Sequence, residues 1–120
     1  MSDLVSQGLQ YLEKVARSGP QRLGPLLLYQ MAIMGIERSL HGRFERCGIA
    51  PSHHQGEGLL NELLLNGLLP MALAEDLRNF MAVAGVHDAT LRAEQLPWSE
   101  DEIRIQAAGF HRAFLDLAAG

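Results

Sequence analysis

An Arg-Asn pair, Arg78-Asn79, stands in a helical stretch from Leu73 to Val83 whose other residues, apart from Glu75 and Asp76, are apolar. A guanidinium in the interior turn of such a helix needs a hydrogen-bonding partner or a cleft, because an unpaired buried charge is strongly disfavoured. Two kinds of chemistry fit it. Arg78 either serves as a fixed cation facing a ligand, or pairs with a carboxylate on a neighbouring helix, Glu37 being the obvious candidate. Glu37, His41 and Glu45 recur at four-residue spacing and share one helical face, a pattern that fits solvated pairs better than metal ligation, since no Glu-x-x-His occurs anywhere in the chain. The adjacent His53-His54 has no cysteine nearby to complete a metal set. Cys47 precedes Gly48 at a helix C-terminus, the wrong end of the dipole for a thiolate, and is expected to be an inert core residue.

The elements that must position these groups read as helices throughout. Leu4, Leu9, Leu12 and Val15 follow Ser2, an expected N-cap, and predict a first helix over about residues 3 to 17. Pro20 and a wide apolar arc through Leu27, Met31, Ile36 and Phe44 predict a long second helix, stopped at Gly48. Leu59, Leu60, Leu63 and Leu64 give a short third helix ending at Asn66-Gly67, and Pro70 opens a fourth that runs to about Ala84. Gly85 to Pro97 reads as a loop in which Leu91 and Leu96 pack down. Ser99 and Glu102 then form a capping box, with Trp98 placed to staple onto Ile103, and start the last helix.

One domain spanning residues 1–120 follows, all-α, as an up-and-down bundle of about five helices with a long second helix. Its axis is expected to be the second and fourth helices. The composition agrees. With 48% hydrophobic residues but only 6% aromatic, the core must be built from aliphatic side chains that favour helix. A net charge of −4 opposes broad attraction to nucleic acid, although nine of the ten basic residues are arginine, which permits a local bidentate site. The lone cysteine cannot form an internal disulfide, no uncharged stretch is long enough for a membrane span, and the N-terminus has no leader pattern, so a cytoplasmic protein is expected. The leucine-rich run from 59 to 73 suggests a homodimer.

A small helical bundle with a long second helix and an Arg-Asn in the fourth helix resembles the HEPN superfamily. The resemblance implies a dimeric bundle in which Arg, a polar residue and a His after a short spacer meet across the interface as a metal-independent ribonuclease site, with no cofactor. Carried onto this chain, Arg78 is the cation for charge gathering on phosphate oxygens, Asn79 orients or donates a hydrogen bond, and His87 is the base. The family's spacing falls instead on Val83, Ala84 and Gly85, and His87 lies beyond it. In relatives paired with a nucleotidyltransferase, as in toxin–antitoxin systems, a tyrosine closely follows the motif His, whereas Asp88, Ala89 and Thr90 follow His87 here. The expectation is therefore a degenerate, non-enzymatic bundle that dimerises or docks a partner through its third and fourth helices. An RNA-cleaving toxin-like enzyme is the alternative, and a binder of a metal or small molecule around Glu37, His41 and Arg78 is a third.

Overall fold

The computed structural model describes residues 3–19, 24–83 and 90–119. Within them the chain forms five α-helices, α1 (Leu4–Arg17), α2 (Gly24–Arg46), α3 (Gly56–Leu65), α4 (Met71–Met81) and α5 (Glu100–Ala119), with one 3₁₀ turn (Ala93–Gln95) and no strand among the described residues. The all-α bundle and its long second helix match the expectation. Its axis does not. α1, α2 and α5 pack on one another as a three-helix trunk, while α3 and α4 form a short hairpin beside it, with α3 against α2.

Small residues explain why α1 and α2 lead. Gly8 on α1 and Gly35, Ser39 and Gly42 on α2 face one another, so the two backbones come closer than side chains would allow. A Cβ on Gly8 would lie 2.6 Å from both Gly35 O and Ser39 N, and one on Gly42 would lie 2.5 Å from Val5 N. The Ser39 hydroxyl is satisfied within the seam, donating to Gly35 O at 2.8 Å. Around it Val5, Leu12, Val15, Leu28, Ile36 and Leu40 are buried, the stripe that drives the pairing.

The helix ends follow local rules. Ser2, the expected cap of α1, lies outside the described residues, and Asp3 does the capping: its carboxylate accepts from Ser6 N at 2.8 Å and meets Arg46 of α2 at 2.8 Å. A carboxylate suits this position because it also opposes the positive end of the helix dipole. Gly48 (φ 70°) and Gly67 (φ 67°) close α2 and α3 in the left-handed conformation. In each, the next residue reaches back five positions, Ile49 N to Phe44 O at 3.1 Å and Leu68 N to Leu63 O at 2.9 Å, the Schellman pattern. α5 opens on the expected capping box, Ser99 N to Glu102 Oε1 at 2.9 Å and Glu102 N to Ser99 Oγ at 3.2 Å. Leu91 is buried and Leu96 packs on the core, as the loop reading expects.

Asp3 makes a stability prediction. The Ser6 backbone N–H, then the Arg46 guanidinium, hold its carboxyl at about 2, below the ordinary 3.8. A depressed carboxyl adds stability that is complete above about pH 4 and is lost as pH falls through about 2. Melting curves of the protein across that interval should decline more steeply than those of an Asp3→Asn variant, whose amide still caps the helix but neither titrates nor pairs with Arg46. Equal slopes would show that Asp3 contributes nothing to acid sensitivity.

Candidate functional site

Arg78 projects from α4 toward α3. There Glu57 and Asn61, one helical turn apart, face it: Arg78 Nη2 donates to Asn61 Oδ1 at 3.0 Å, and Nε lies 3.3 Å from Glu57 Oε1. The carboxylate partner is thus Glu57 and not Glu37. The physical reason is the placement of α4, which packs on α3 as a hairpin at this level. Glu37 has another role, accepting from Gly56 N at 3.0 Å and so capping α3 from outside where Gln55 offers no side-chain cap.

The Arg78 side chain is 35% exposed while its Glu57 partner is 67% exposed. Its Nε is sealed from solvent and makes no well-directed hydrogen bond, so the Glu57 contact is electrostatic in character. The guanidinium therefore works as a clasp between α3 and α4 with an outer edge in water. Asn79 is exposed and turned to the other side of α4, where it lines a groove of about 390 Å³ with Asp76, Gln106, Gly109 and Phe110. Neighbouring helical positions are rotated by about 100°, so Arg78 and Asn79 address different surfaces. His87 lies outside the described residues, as do Ala84 and Gly85. α4 ends at Met81, short of the expected Ala84, and Val83 is already outside the helix.

The early end of α4 has a tertiary cause. The Tyr29 hydroxyl of α2 donates to Phe80 O, one of the last carbonyls of α4 that has no partner within the helix. Burial pushes the Tyr29 phenol far above its ordinary value, with a Val83 backbone hydrogen bond acting the other way. Trp98 stacks on both Tyr29 and Phe80, with ring centres 5.7 and 5.0 Å apart, and Phe110 meets the Phe80 ring edge-on at 5.3 Å. This aromatic group seats α4 and α5 on α2. In the sequence its members are separate positions, three in different helices and Trp98 just before α5, and no periodicity links them.

The histidines and carboxylates around the α2–α3 loop are occupied with structure. His41 Nε2 donates to His54 O at 2.6 Å, which places the ring proton on that nitrogen. Glu62 accepts from Ser52 N at 3.0 Å, His53 N at 2.6 Å and His53 Nδ1 at 2.6 Å. The Ser52 N–H first, and then His53, lower its carboxyl below the ordinary range. Instead of solvated pairs along α2, Glu37 and His41 act on the loop that joins α2 to α3, and Glu62 holds the same loop from the α3 side. Among the described residues no three His, Cys, Asp or Glu side chains are placed to share a metal ion. Cys47 is exposed and not in the core, because it occupies the turn between the last residue of α2 and left-handed Gly48, where the chain leaves the bundle. His111 of α5 lies 3.6 Å from Glu13 of α1.

The leucine-rich run is mostly internal. Leu59, Leu60, Leu63 and Leu69 are buried, and Leu64, Leu68 and Leu73 pack on the core in part. At the tip of the hairpin Leu65 is 86% exposed and Met71 69% exposed. No helix among the described residues is long and apolar enough to cross a membrane. No protein-family model, curated protein or solved structure matches the chain.

Proposed function

We propose that the chain is a non-catalytic, HEPN-like helical module that pairs with a second copy of itself through the tip of the α3–α4 hairpin. The observation that carries the reading is the solvent-facing pair Leu65 and Met71 on a hairpin clasped by Arg78, Glu57 and Asn61. Residues 63–74 contain no charge, so two such tips meet about a two-fold axis without like-charge repulsion. A charged partner finds nothing complementary there. Arg78 in this reading is structural, engaged by Glu57 and Asn61 of its own chain.

Sedimentation of the protein should give a dimer, and Leu65→Asp should give a folded monomer. A wild-type monomer at all concentrations sinks the proposal. A metal-independent ribonuclease is the second reading, favoured by the termination of α4 at Met81, which leaves Ala82 and Val83 outside the helix. Total RNA incubated in EDTA with the protein and with Arg78→Ala separates the two. The expected result is no cleavage by either, with Arg78→Ala melting only a few degrees lower, since an ion pair this exposed contributes about 1 kcal/mol or less. Cleavage by the wild type that the variant loses would replace the non-catalytic reading.

A further inference from the structure

α1 carries Gln7, Gln10, Tyr11 and Lys14 along one face, and α2 brings Arg38 against it. The five side chains line a recess of about 200 Å³. Arg38 stands over the Tyr11 ring, its guanidinium carbon 4.8 Å from the ring centre, and this cation–π contact holds the fork in one orientation. No carboxylate lines the recess. The acids nearest in sequence are engaged elsewhere, Glu13 with Arg17 at 3.5 Å and His111 at 3.6 Å, and Glu37 with Gly56.

The contrast with the other arginines is informative. Of the seven other described arginines, Arg43 donates to Leu68 O at 3.0 Å, Arg112 has no carboxylate within 4 Å among the described residues, and Arg17, Arg46, Arg78, Arg92 and Arg104 each have one that close. In a chain with net charge −4 that is the ordinary fate of a cation. Lys14 and Arg38 have no acidic partner among the described residues and lie on one recess.

We propose that the Lys14–Arg38 recess binds a phosphate group. Two positive charges match a dianion, the Arg38 fork takes two of its oxygens, and Lys14 adds a point charge. The Gln10 amide and the Tyr11 hydroxyl can donate to the remaining lone pairs. A volume below the roughly 300–1,000 Å³ of pockets that enclose drug-sized ligands admits the phosphate and leaves any attached group outside. Free phosphate and a phosphomonoester share this chemistry.

Backbone amide NMR of the intact protein, titrated with inorganic phosphate at constant ionic strength, tests the site. Shifts at residues 7–14 and at Arg38 should saturate with half-effect at about 1 mM or below, and acetate should bind far more weakly. Lys14→Gln and Arg38→Gln should each weaken phosphate about tenfold. Lys14 is exposed and forms no ion pair among the described residues, so its variant reads charge rather than packing. A parallel titration with glycerol phosphate identifies the source: an affinity equal to or above that of inorganic phosphate assigns the recess to an esterified group, and a lower one to the free ion. Shifts that do not saturate, acetate as effective as phosphate, or an unchanged affinity in Lys14→Gln would each overturn the proposal.

Discussion

Gly8→Ala is expected to destabilise the protein by about 2 kcal/mol, and Gly42→Ala by a similar amount. Alanine is worth about 1 kcal/mol more than glycine inside a helix, so propensity alone predicts the opposite sign. Contact decides it. The added methyl would stand 2.6 Å from backbone atoms of α2 at Gly8, and 2.5 Å from the Val5 backbone nitrogen of α1 at Gly42, and backbone within two packed helices cannot rotate away as a side-chain tip does. Overpacking of this kind typically costs about 1–3 kcal/mol, and more when the obstacle is rigid. Gly109 on α5 is the control. A Cβ there meets nothing within 4 Å, and Gly109→Ala should raise stability by up to about 1 kcal/mol. Urea denaturation of the three variants measures all of this. If Gly8→Ala behaves like Gly109→Ala, the close seam between α1 and α2 does not exist in solution.

Tyr29→Phe is expected to lose about 1–3 kcal/mol, although the ring and its contacts remain. The lost hydroxyl leaves Phe80 O buried without its donor, at a helix end where intrahelical partners have run out. Tyr29→Ala should lose roughly 3–5 kcal/mol, because it also removes the ring between Phe80 and Trp98. The interval between the two variants separates the hydrogen bond from the packing. A Phe variant as stable as wild type would mean that water or another donor reaches that carbonyl, and the account of why α4 stops at Met81 would have to be abandoned.

Signals confined to one stretch of chain were readable in the sequence. The Ser99–Glu102 box, the glycine stops at Gly48 and Gly67, and the burial of Leu91 all depend on residues close together, and each is present in the structure. Relations between helices were not. Gly8, Gly35, Ser39 and Gly42 add nothing to a hydrophobic pattern, which is why the wide apolar arcs of the second and fourth helices looked like the axis while α1 and α2 share the closest approach. The partner of Arg78 depends on how α4 is rotated against α3, information that neither helix carries alone, so Glu37 was the natural expectation and Glu57 the outcome. Cys47 illustrates a different limit. An apolar residue type near a helix end is buried or exposed according to where the chain departs, and a left-handed turn sends it outward.

The glycine seam also settles how mechanical freedom is divided. Where two helices touch through backbone, no rotamers are available to take up a displacement, so α1 and α2 tilt or shift together as one stiff beam. The hairpin has a different attachment. Besides its apolar contacts it is tethered by single polar links, Arg43 Nε to Leu68 O at 3.0 Å and Glu37 to Gly56 N among them, which can be exchanged one at a time. Accommodation of anything that lands on this molecule therefore falls to α3 and α4, with the trunk as the fixed reference against which they adjust.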